Sequence, residues 1–157
     1  MVILSIIALI MFTMLSCTIV SKYGVPDMVS SMYYLLGKRG WVFQVVMIVF
    51  GMLLMICLLD SGLGEQCLAF LACTGLIFVG AAPRFLESGE RVVHKGAAIV
   101  SAFASVAWCL TVDIKLTIAA MALYSVYWVC RDDDSKPWFV AEVTAILLVL
   151  CTYWCNI

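Results

Sequence analysis

Residues 41–59 read WVFQVVMIVFGMLLMICLL, an uncharged stretch in which Gln44 is the only strongly polar side chain. As a helix rising 1.5 Å per residue, the stretch is roughly 28 Å long. That length matches the hydrocarbon core of a bilayer, about 30 Å thick. The run therefore reads as a transmembrane helix, and the rest of the chain is read around it.

Five more apolar runs flank it, at 2–20, 66–82, 96–112, 114–130 and 138–155, and short polar clusters separate them. With 66% apolar residues and 12% charged ones, the chain has more apolar surface than a soluble domain can cover. The expected fold is all-α: one polytopic membrane domain over residues 1–157, built as a six-transmembrane-helix bundle. A net charge of −1 without a basic face excludes nucleic-acid binding.

Local signals mark where the runs stop. The glycine-rich turn from Asp60 to Glu65 closes the second run, Pro83 closes the third, and Pro137 suits the first turn of the sixth. The fourth run carries Ala97, Ala98, Ser101, Ala102, Ala104, Ser105 and Ala107. Small residues at such spacings let helix backbones approach closely in lipid. This helix is expected at the centre of the bundle, against the third with its Gly75 and Gly80. The turn between the fourth and fifth runs is so tight that those helices must be antiparallel neighbours.

Eight of the nine Lys and Arg residues (Lys22, Lys38, Arg39, Arg84, Arg91, Lys95, Arg131 and Lys136) follow the first, third and fifth runs, and Lys115 alone lies opposite. Basic loops are retained on the cytoplasmic side. The expected location is the inner, or plasma, membrane, with both termini non-cytoplasmic. Residues 1–20 lack the basic leader of a secretory signal, so they read as a first span. The eight cysteines are spread singly through apolar runs, where cysteine behaves as a small hydrophobe; of these, Cys57 and Cys67 can meet across one turn, and Cys151 and Cys155 share a helix face.

Between the first two spans, Gly24–Trp41 holds an unusual density of polar and aromatic side chains. Pro26 suits a helix start and Gly37 its end. Met28, Val29, Met32, Leu35 and Leu36 would gather on one side, with Asp27, Ser30, Ser31 and Tyr34 largely on the other. A short amphipathic interfacial helix between the first and second spans is therefore expected.

Few residues have chemistry to offer. Glu142 lies about a turn inside the sixth run, and a charge at a helix centre in lipid costs about 2.5–3.5 kcal/mol. It must snorkel, pair or be protonated, with Gln44, His94, Lys95 and Arg39 as partners at that depth. It reads either as a lock within the bundle or as a functional acid. His94, the one histidine, reads either as a surface residue at a helix start or as a proton-handling group. Ser30, Ser31, Tyr33 and Tyr34, together with Lys38 and Arg39, can form a polar pocket or bind lipid headgroups, or serve as turn and cap residues. Asp132-Asp133-Asp134 reads as a solvated turn.

One histidine cannot build the three-histidine zinc site of membrane hydrolases in a helical bundle unless Cys or Asp replaces two of the ligands, and no metal or cofactor site is expected. Neither a Gly-x-Ser-x-Gly elbow nor a phosphate-cradling glycine loop occurs. The first three runs show no duplication in the last three, which weakens a repeat-built transporter.

The six-span plan, the exit Gly80-Ala81-Ala82-Pro83 and the following His94 resemble the membrane family of damage-regulated autophagy modulators and their bacterial relatives. Ser30-Ser31-Met32-Tyr33-Tyr34 with Gly37-Lys38 is similar to small multi-span proteins of bacterial and phage genomes. The resemblance implies a membrane protein with no catalytic residue to carry over. The expected function is a non-catalytic module binding a lipid, a small amphipathic ligand or another membrane protein at its cytoplasmic face. Ser30, Ser31, Tyr33, Tyr34, Lys38, Arg39, Gln44, Arg84, His94 and Glu142 are its candidate binding residues. A small transporter or proton-coupled channel using Glu142, Gln44 and His94 is one alternative. A lipid-modifying enzyme, with His94 and Glu142 as acid and base and a hydroxyl from Ser30, Ser31 or Tyr34, is the other.

Overall fold

A computed structural model describes residues 1–132 and 134–157, and every regular element in them is helical. The helices are α1 (Val2–Tyr23), α2 (Met32–Leu35), α3 (Gly40–Ser61), α4 (Gln66–Ala81), α5 (Ser88–Val112), α6 (Ile114–Cys130) and α7 (Pro137–Asn156), with single 3₁₀ turns at Val29–Ser31 and Gly37–Arg39. By length and composition four helices can cross a membrane: α1, α3 with the turn before it, α5 and α7. α4 and α6 are apolar but shorter, at 16 and 17 residues.

The ends have local causes. Gly24 and Gly62 follow α1 and α3 at φ 79° and 66°, a region glycine enters without a Cβ penalty. Asp113 separates α5 from α6, its carboxylate accepting the Leu116 N–H at 2.9 Å. Pro137 opens α7, where its missing N–H removes nothing from the helix.

Ser5, Ala8, Phe12, Leu15 and Ile19 form the buried stripe of α1, while Ile3, Ile6, Ile7, Ile10 and Met14 are exposed. A helix apolar on both faces is stable only where the medium is apolar too. α6 carries this furthest, since Thr117 is its one buried residue.

α3, α4 and α5 form the tight centre, with α1 on the outside of α3, α7 against α5, and α6 spanning α5 and α7. A Cβ built on Gly75 would lie 2.6 Å from Ser101 Cβ and 2.7 Å from the Ala97 carbonyl, so α4 and α5 touch backbone to backbone there. The Ser101 hydroxyl donates to the Ala72 carbonyl at 2.8 Å across the same seam. Gly80, expected on that seam, instead meets Met47 and Ile48 of α3. The two glycines sit five positions apart, about 500° around a helix, and so serve different neighbours.

Two sequence expectations need correction. The polar turn expected at 83–95 is helical from Ser88, because Glu90, Arg91 and Lys95 lower the hydropathy without opposing helix formation. The single interfacial helix after Pro26 is instead a chain of short turns: the 3₁₀ turn, the four residues of α2 and a second 3₁₀ turn. Gly37 at φ 53° breaks it, and Tyr33 packs onto Gly40, holding the bend against the start of α3. The acidic turn expected at 132–134 includes Asp133, which lies outside the described residues.

Hydrogen bonds between distant segments order the two ends of the bundle. At one end Trp108 Nε1 donates to Leu63 O at 3.1 Å, and Trp154 Nε1 to Ser5 Oγ at 2.8 Å. At the other, Lys136 meets Asp27 at 2.8 Å, and Tyr34 accepts from Leu86 N at 3.0 Å. The second end carries the eight clustered basic residues.

Candidate functional site

Pro137 sets the start of α7, so Glu142 lies roughly 7.5 Å along its axis. Its Oε2 accepts the backbone N–H of Val29 at 2.5 Å. Val29 is the first residue of a 3₁₀ turn, where an N–H has no partner within the turn. The carboxylate satisfies that donor and pins the α1–α3 connection to α7. The exposed pair Lys136–Asp27 lies just outside the same junction.

His94 is one and a half turns into α5 and is buried. Its Nδ1 lies 2.8 Å from the carbonyl of Ala82, the residue that ends α4. A carbonyl oxygen only accepts, so Nδ1 carries the proton, and the neutral form of the ring has its lone pair on Nε2. Phe85 stacks on the imidazole at 5.0 Å, and Tyr34 meets Phe85 edge-on at 5.1 Å. The Pro83 exit and His94, separate signals in the sequence, thus form one unit. His94 is a buried brace, not the surface residue expected at a helix start.

A cavity of about 100 Å³ runs between α3, α4, α5 and α7. Ser30, His94 and Glu142 line it near the basic end, and Trp108 and Leu58 line it toward the other. From His94 to Trp108 the rise along α5 is roughly 21 Å. Between these limits the lining is apolar or small, including Ala98, Ala102 and Ser105 on α5 and Ala145 on α7. Ala102 is exposed, so the lining reaches the outer surface of the bundle.

Of the ten candidate residues, the fold brings three together on this cavity: Ser30, His94 and Glu142. Tyr34 stands behind His94 through Phe85, and Tyr33 packs on Tyr34 at 5.3 Å. Ser31 is half-buried but does not line the cavity. Lys38 and Arg39 are exposed in the turn before α3. Arg84 is engaged outside, 3.6 Å from Glu87 and 3.9 Å from Glu90. Gln44 is absent from the lining, and among the described residues none of Gln44, His94, Lys95 and Arg39 bonds Glu142. The partner is a backbone N–H, which every residue but proline offers and no side-chain pattern reveals.

The sequence reading missed Val29 as a partner and the small side chains of α5 as a lining. Their signal was present, but the same spacing serves helix contact and cavity wall alike. Among the described residues no three His, Cys, Asp or Glu side chains cluster as metal ligands, and all eight cysteines are free thiols. No protein-family model, no curated protein and no solved structure matches the chain.

Proposed function

We propose that this protein is a multi-pass membrane module that binds an amphiphile in the α3–α4–α5–α7 cavity, head toward the basic, cytoplasmic end. The observation that carries the reading is one elongated apolar cavity with Ser30, His94 and Glu142 grouped at a single end. In this reading α4 and α6 also cross the bilayer, making six spans with both termini non-cytoplasmic. Their 16 and 17 residues lie at the short limit for a span, and each runs between an acid at one end (Glu65, Asp113) and an arginine at the other (Arg84, Arg131).

At about 100 Å³ the cavity is smaller than the 150 Å³ that admits benzene, so it takes a head and a few methylenes, not a whole lipid. The rest of a tail leaves past Ala102 into the bilayer. A tail moving from lipid to an apolar wall gains little, because both media are apolar. Discrimination therefore falls to the head and the three polar side chains.

Native mass spectrometry of the gently extracted protein tests this. A retained amphiphile in wild type, lost in the cavity-filling variant Ala98→Phe with the fold intact, is the expected result. Equal retention in both, or a bare protein in both, would remove the cavity from the argument.

A further inference from the structure

The polar end of the cavity is rich in acceptors and has no cation of its own. Glu142 Oε2 is taken by Val29, while Oε1 makes no hydrogen bond among the described residues. His94 has committed its Nδ1–H to Ala82, which leaves the Nε2 lone pair. The Ser30 hydroxyl, on a residue only 4% exposed, has no protein partner among the described residues and lines the cavity. No Lys, Arg or His of the described residues forms an ion pair with Glu142; the nearby ion pairs involve Arg84 and Lys136, both on the outside. His94 and Glu142 thus face one cavity without touching, and the space between them is where a ligand's head would sit.

We infer that the head is a primary ammonium on a single-chain amphiphile, seated among Glu142 Oε1, His94 Nε2 and Ser30 Oγ. This rests on the amphiphile-binding reading above and specifies its ligand. An ammonium carries three N–H donors, accepts nothing, and supplies the positive charge that the carboxylate lacks. A carboxylate or phosphate head would bring acceptors to acceptors and negative charge to Glu142, in a low-dielectric site where such mismatch weighs most. The basic residues able to hold an anion stay outside. A single chain follows from the volume of the cavity, since about 100 Å³ takes the head and the first few methylenes of one chain and leaves no room for a second beside them.

The test places wild type, Glu142→Gln and Glu142→Asp in phosphatidylcholine nanodiscs and titrates four probes of equal chain length: hexadecylamine, hexadecanol, palmitate and hexadecyl phosphate. Binding is read by native mass spectrometry and by the fluorescence of Trp108, with the other tryptophans changed to phenylalanine. Comparing variants in identical discs cancels the partitioning of each probe into lipid. Hexadecylamine is expected to bind wild type at least tenfold tighter than palmitate or hexadecyl phosphate. Glu142→Gln abolishes that preference and Glu142→Asp, which keeps the charge, retains it. Hexadecanol binding as tightly as the amine, or an anionic probe winning, overturns the ammonium assignment and leaves the amphiphile reading standing. If none of the four binds, both fall. Should Glu142→Gln fail to fold, Ser30→Ala carries the same comparison, with a smaller loss for the amine alone.

Discussion

Glu142 and Val29, 113 positions apart in sequence, are joined by a carboxylate that accepts a backbone N–H at 2.5 Å. The bond ties the first residue of a 3₁₀ turn to the second turn of the last helix. It fastens the connection between α1 and α3 to α7.

Removing that acceptor leaves a donor unmatched, a loss of about 1–3 kcal/mol for a buried group. Glu142→Ala is expected to lower the thermal midpoint in detergent and to speed hydrogen exchange at Val29. Glu142→Gln keeps a carbonyl oxygen at the same reach and should retain most of the stability. Equal midpoints for Ala and wild type would show that the bond does not hold the connection.

The α4–α5 contact makes a sharper demand. Gly75→Ala places a methyl carbon 2.6 Å from Ser101 Cβ and 2.7 Å from the Ala97 carbonyl. Neither neighbour can rotate away, so the helices must separate, costing about 1–3 kcal/mol. Gly89→Ala meets nothing within 4 Å and should be neutral or stabilising. Comparing the two midpoints separates close packing from general intolerance of substitution at glycine.

Lys136 and Asp27 form a pair open to solvent, so its contribution is small and screened by salt. The hydrogen bond that Lys136 donates to Asp27, and then the charge of Asp27, hold the Lys136 ammonium above the ordinary lysine range. A raised lysine stabilises the fold fully below its unfolded value and stops doing so as pH climbs through the folded one. Lys136→Met should therefore lower the midpoint slightly at neutral pH. The gap to wild type should close at strongly alkaline pH and in high salt.

Threading can be read from the free thiols. Cys67 and Cys155 are exposed at the end away from the basic cluster, and Cys130 is exposed at the basic end. In single-cysteine variants expressed in cells, an impermeant maleimide is expected to label Cys67 and Cys155 directly. Cys130 should react only after permeabilisation. Direct labelling of Cys130 would reverse the orientation.

How much of the site was legible differs by residue. Glu142 and His94 stood out because an acid in an apolar run and a lone histidine are conspicuous anywhere. Ser30 stood out only as one of several hydroxyls, and the fold alone separates it from Ser31, its half-buried neighbour. Lys38, Arg39 and Arg84 were legible as basic residues at the right end, but they stay outside the cavity because their charge is best hydrated there. Gln44 shares a depth with Glu142 but not a direction, and depth is all that counting along a run provides.

The sequence by itself determined the helices, five of the six long ones to within three residues at either end. Apolar runs, glycines free to take positive φ and prolines without an N–H are local causes with local effects. It could not determine how each helix is rotated about its own axis. In α1 and α3, apolar on every side, no hydrophobic face tells inside from outside. Rotation was decided by tertiary contacts: Gly75 against Ser101, Gly80 against Met47, Nδ1 of His94 on the Ala82 carbonyl, and Glu142 on Val29. Those contacts turn Ser30, His94 and Glu142 toward one cavity, because in an apolar medium close packing and unsatisfied backbone groups, not the exclusion of water, choose which faces meet.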